Sequence, residues 1–161
     1  MKKFYFALIL LLLHNNFGFT EQKVVDWSLS PDEVRQSENG TFRGDHQNKK
    51  NYSIFFTKKF EDYSADISYK FSNGKLIEKC IFIELINVTS YEPIYQKNWY
   101  LNFYDSMMKD FNNEYGKGKI VSFTGVLDKS HKWVTKDTII ISDVFVDDNS
   151  WRLAITYSPI K

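Results

Sequence analysis

The stretch ADISYKFSNGKLIEKCIFIEL, residues 65–85, decides the fold. Ile67, Tyr69 and Phe71 alternate with Asp66, Ser68 and Lys70, the period-two pattern of a half-buried strand. Asn73-Gly74 follows, and both residue types tolerate the positive φ of a two-residue type I′ hairpin turn. Lys75 to Leu85 then returns as the second strand. A two-residue loop sets the register: Ser72 opposes Lys75, Phe71 opposes Leu76, Tyr69 opposes Glu78 and Ile67 opposes Cys80. Leu76, Cys80 and Phe82 then share the core face with Ile67, Tyr69 and Phe71, and Cys80 reads as a small buried apolar residue. The opposite face receives Ile77, Ile81 and Ile83 together with Asp66, Ser68 and Lys70, an unexpected composition for a solvated surface. Either a bulge shifts the register or something covers that face. Its functional reading is a partner surface at Ile77, Ile81 and Ile83; its structural reading is packing within the same chain.

Upstream, SLSPDEVRQSE (residues 28–38) carries a helix start. Ser30 suits the N-cap, Pro31 the first helical position and Glu33 the third position of a capping box. Leu29 and Val34 are placed for a hydrophobic staple. Residues 41–51 are polar and read as an exposed loop, and Tyr52 to Phe60 as a strand. Downstream, Tyr100, Tyr104, Met107, Met108, Phe111 and Tyr115 form one stripe of a helix over residues 97–115, with Gly116 at the C-cap. Strands are expected at 120–127, 138–146 and 151–157, with a polar connection at 128–137. The order helix, three strands, helix, three strands predicts an α+β protein. It comprises two helix-strand-strand-strand units, an antiparallel sheet and helices packed on one face.

Met1-Lys2-Lys3 followed by ten unbroken apolar residues, Phe4 to Leu13, has the pattern of a secretory signal peptide. The run is too short to span a bilayer, which takes about 20 apolar residues. Cleavage is expected after residue 20, leaving residues 21–161 as a single α+β domain, exported to a periplasm or beyond the cell, with no transmembrane span. No Cys follows the apolar run, so a lipid anchor is not expected.

Composition removes several function classes. With 14 Phe, 10 Tyr and 4 Trp the chain is not of the disordered type. A single Cys excludes an intrachain disulfide framework. Lys and Arg number 21 against 20 acids, so no basic field exists to hold nucleic acid. His46 and His131 stand in separate polar segments outside any ligand motif, and neither G-x-S-x-G, H-E-x-x-H nor a phosphate loop occurs. Asp143, Asp147, Asp148 and Asn149 lack EF-hand spacing and read as strand and turn residues. No catalytic, cofactor or metal site is assigned.

The capped helix Trp27-Ser28-Leu29-Ser30-Pro31-Asp32-Glu33-Val34 and the later Asn73-Gly74-Lys75-Leu76 hairpin resemble small exported bacterial envelope proteins. The group resembled is that of the outer-membrane-assembly small lipoproteins and the wider β-lactamase-inhibitor-protein-like proteins. The resemblance implies helices on one antiparallel sheet and a role in protein binding. The expected function is therefore a non-enzymatic binding protein whose partner is another envelope or extracellular protein. Two alternatives stand beside it: a carrier of a small apolar ligand or lipid, and a small hydrolase whose residues converge only in three dimensions.

Overall fold

In a computed structural model the described residues are 25–59, 63–85, 93–121, 130–147 and 150–161, with the side chains of 85, 93–101, 145–147 and 150–151 excepted. The export segment, residues 1–20, lies outside them. Among these residues two helices and eight strands follow one another as α1 (Pro31–Ser37), β1 (Thr41–Asn48), β2 (Asn51–Lys59), β3 (Ser64–Ser72), β4 (Lys75–Leu85), α2 (Pro93–Tyr115), β5 (Lys119–Val121), β6 (Ser130–Val134), β7 (Thr138–Asp147) and β8 (Ser150–Pro159). The strands form one sheet in the order β1-β2-β3-β4-β8-β7-β6-β5, every pair antiparallel. Two four-stranded meanders thus meet at the β4–β8 pair in the middle. The protein is α+β with an antiparallel sheet, as the sequence predicts, but four strands rather than three follow each helix.

The two additional strands explain the difference. Residues 41–51, read as a loop, contain β1, which pairs with β2 along nearly its whole length. As an edge strand it is exposed at almost every position, so no apolar alternation marks it. Its register slips between Phe42 and Gly44, a bulge that suits an edge. Likewise the polar connection at 128–137 contains β6, which buries Ser130 and Trp133. Of the strand expected at 120–127, Ile120 and Val121 belong to β5, and 122–127 lie outside the described residues.

Local chemistry fixes both helices. At the start of α1 the Ser30 side chain accepts from the Glu33 backbone, while the Glu33 carboxylate accepts from the Ser30 N–H at 2.8 Å. The capping box is complete and Val34, one turn in, is buried. Replacing Ser30 with Ala should cost about 1 kcal/mol. Urea unfolding measures it, and an unchanged midpoint would mean that the box contributes nothing. On α2 the expected stripe appears as buried Tyr104, Met107, Met108 and Phe111, to which Phe103 adds itself. Gly116 ends the helix at φ 80°, a left-handed position that glycine occupies without Cβ strain.

The hairpin turn forms as read, with Asn73 at φ 50° and Gly74 at φ 77°. Ser72 pairs with Lys75 and Phe71 with Leu76, but Lys70 then pairs with Glu78, so the register shifts by one residue. From there Tyr69 opposes Lys79, Ile67 opposes Ile81 and Ala65 opposes Ile83. The bulge turns Lys79, Ile81 and Ile83 toward the buried face and Cys80 and Phe82 away from it. The sequence-based register beyond Phe71 is therefore corrected.

Continuing across the sheet, the registers align rows of inward side chains. One row runs Ile54, Tyr69, Lys79, Tyr157, Ile140, Trp133; the next runs Phe56, Ile67, Ile81, Ile155, Ser142, His131. A third holds Ala65, Ile83, Leu153 and Val144. These rows, with Val34 from α1 and the α2 stripe, make the core.

Candidate functional site

Lys79 is the one Lys, Arg, Asp or Glu buried among the described residues, at 2% exposure. It sits in the central row of the inner face, between Tyr69 of β3 and Tyr157 of β8. The reason lies in β4 itself. Without the bulge, the inward positions would be Leu76, Glu78, Cys80 and Phe82; with it they are Leu76, Lys79, Ile81 and Ile83. Either register buries one charge. The bulged one buries Ile81 and Ile83 in place of Cys80 and Phe82; Ile and Phe gain comparably, about 1.5–3 kcal/mol each, so its apolar advantage is that of an isoleucine over a cysteine. It also chooses the charge with a long apolar stem over a short carboxylate.

The Lys79 ammonium lies over the Tyr69 ring, Nζ 5.1 Å from the centroid. The ring's negative face partly compensates the charge. The Tyr69 hydroxyl donates to the Glu38 carboxylate just past α1. Glu38 acts on Lys79 as a negative charge at a distance, opposed by Lys58. No ion pair or hydrogen bond from Lys79 Nζ is found among the described residues. Burial pushes the amine down to about 8 from its ordinary 10.5, outweighing the pull of Glu38. On the other side of Lys79, burial raises the Tyr157 phenol, assisted by Tyr115 and Glu114 at the end of α2. Tyr157 therefore stays neutral beside the lysine.

A second polar group lies toward β6. The Tyr104 hydroxyl and His131 Nδ1 are hydrogen-bonded at 2.8 Å, and the His131 ring stacks on Trp133 at 5.8 Å. Burial raises Tyr104 to about 12, against the lowering effect of its hydrogen bond with Ser142. The Trp133 indole donates to Asn112 Oδ1 at 3.2 Å, and the same oxygen accepts from the Gly118 N–H at 2.9 Å. These bonds tie α2 to β6 and to the segment before β5.

The remaining sequence candidates fall in three places. Ile81 and Ile83 are buried in the core and Ile77 is half-buried at the bulge, so the three do not form one open surface. Cys80 faces away from the core, half-buried, where it pairs in register with Ser68 and Thr156 and accepts from the Thr156 hydroxyl at 3.8 Å. Its expected place in the core is corrected. Burial pushes its thiol up, away from the thiolate a nucleophile needs. His46 is exposed on β1. Asp143 accepts from the buried Ser130 hydroxyl at 2.6 Å, and Asp148 and Asn149 lie outside the described residues. Among the described residues no group of three or more His, Cys, Asp or Glu is placed to hold a metal ion. No described helix is long and apolar enough to cross a membrane.

Sequence reasoning passed over Lys79 because the turn-derived register placed it on the outer face. The available signal was that both parities of β4 bury a charged residue, Glu78 or Lys79. No protein-family model, curated protein or solved structure matches the chain.

Proposed function

We propose that the chain is an exported, non-enzymatic binding protein of a bacterial envelope or exterior, and that its partner there is another protein. The observation that carries this reading is the second face of the sheet. Phe55, Cys80, Thr156 and Ile141 form one row there, and Phe82, Ala154 and Asp143 the next. Phe55 is 40% exposed and Val134, farther along the same face, 57%. Apolar residues spaced among Thr57, Asp66, Ser68 and Lys70 give the composition of a protein-binding surface, not of a basic nucleic-acid groove.

The finer architecture belongs to the same proposal: two helix-strand units with both helices over the inner face, as in the β-lactamase-inhibitor-protein-like group. Its support is that Arg35 of α1 reaches Tyr52 and Asp45, Met108 accepts from Ser142, and Phe111 meets Trp133 at 5.2 Å. An amino-terminal export signal in residues 1–20 completes the reading.

Capture from the native envelope tests it. The wild-type protein should retain a specific protein that a Phe55→Glu, Val134→Glu double variant loses by tenfold or more. Equal capture by both, or none by either, would remove the proposal.

A further inference from the structure

We propose that the β5 corner of the sheet, where Lys117, Lys119, Lys132 and Lys136 gather around an exposed Ile120, docks the protein on an anionic lipid surface.

Register builds this corner. Lys119 of β5 and Lys132 of β6 are direct cross-strand partners on the outer face. Like charges set opposite one another weaken a strand pair, so their placement is not explained by stability. Asn112 Oδ1 accepts from both the Gly118 N–H and the Trp133 indole, which holds Gly118 against Trp133. Lys117 and Lys119 stand on either side of that contact. Lys136 occupies the β6–β7 turn, two residues beyond Val134, at the same end of the strands. Lys117, Lys119 and Lys136 are exposed and Lys132 is half-buried.

None of the four makes an ion pair with a described residue. The neighbouring acids are engaged elsewhere. Asp137 accepts from the Thr135 and Thr138 hydroxyls, Asp143 accepts from Ser130, and Glu114 bears on Tyr115 and Tyr157. The whole chain balances 21 basic against 20 acidic residues, so the positive field is local to this corner. Beside the lysines stands Ile120, 73% exposed, the most exposed large apolar side chain among the described residues. β5 is the outermost strand of the sheet, and Ile120 and Lys119 leave it on opposite faces.

An anionic membrane surface fits both parts of this arrangement. Its phosphates lie in a plane that several lysines meet together, with an attraction that acts within a Debye length. An apolar side chain among those lysines enters the boundary between head groups and acyl chains. This surface is additional to the protein-binding face.

Vesicle flotation tests the proposal, with the purified exported protein and vesicles of phosphatidylcholine alone or mixed equally with phosphatidylglycerol. The wild-type protein should favour the anionic vesicles by at least tenfold, and the preference should vanish when salt is raised to about 0.5 M. One variant combining Lys117→Gln, Lys119→Gln, Lys132→Gln and Lys136→Gln should bind both vesicles alike. Its urea midpoint should match or exceed the wild-type value, because opposed charges are removed. Should it prove less stable, a double variant at the exposed Lys117 and Lys119 gives the same reading with a smaller loss. Ile120→Ser should weaken binding to anionic vesicles severalfold and keep the preference; no change would overturn the role of the isoleucine. Equal binding of both vesicles by the wild type, or a preference that the glutamine variants keep, overturns the proposal. Loss of a captured acidic protein on removing the lysines, without vesicle binding by the wild type, would assign the corner to a protein and equally overturn it. The glutamine variants leave Phe55 and Val134 in place, so failure here and failure of the protein-binding reading are distinguishable.

Discussion

Lys79→Met should make the protein more stable at neutral pH. The folded-state titration of Lys79, about 8, lies below its ordinary value of 10.5. Between those values the unfolded chain binds the proton more tightly, so stability rises with pH through the window. The penalty is fully present below about pH 8, fades as pH climbs toward 10.5 and is gone above it. At about 1.4 kcal/mol per pH unit, its full size is about 3 kcal/mol. Methionine keeps the unbranched apolar stem and removes the charge, at the loss of the contact with the Tyr69 ring, about 1 kcal/mol or more. The net gain at pH 7 is then about 2 kcal/mol. Urea unfolding of both proteins at pH 7 and pH 10 measures it. An advantage for the variant at pH 7 that shrinks at pH 10 is the expected result; a pH-independent difference, or a less stable variant, would refute it.

Trp133→Ala should destabilise by about 3–5 kcal/mol, the range for truncating a buried large aromatic. Trp133 is 2% exposed and stands at the meeting of α2, β6 and the approach to β5. Its removal opens a cavity against Phe111 and His131 and leaves Asn112 Oδ1 with only the Gly118 N–H. Thermal unfolding reads the effect as a large fall in Tm. A companion change reports the same packing from the other side: a Cβ on Gly118 would meet the indole at 2.6 Å, so Gly118→Ala should cost about 1–3 kcal/mol by overpacking. A Trp133→Ala loss below about 1 kcal/mol would mean that the indole does not anchor α2.

Where the sequence could be read, it was through chemistry confined to a few neighbouring residues. Ser30, Pro31 and Glu33 specify a helix start from their own hydrogen bonds. Asn73-Gly74 specifies a hairpin because both residues adopt positive φ. The spacing of Tyr104, Met107, Met108 and Phe111 specifies one helical face. β1 and β6 escaped because an edge strand and a short strand need little apolar alternation; what holds them is pairing with β2 and β7. The candidate site escaped for a related reason. Lys79 is adjacent to Cys80 in sequence, and only the register decides which of them points inward.

By itself, then, the amino-acid sequence determined the α+β class, the capped first helix, the amphipathic second helix and the turn that starts the central hairpin. Each follows from interactions within a turn or two of chain. Tertiary structure decided the rest. The bulge after that turn balances the burial of Ile81 and Ile83 against the burial of Lys79, and the balance exists only because β3 and β8 lie on either side of β4. A one-residue slip exchanges the two faces of a strand, so the place of Lys79 is a property of the assembled sheet and not of the segment that carries it.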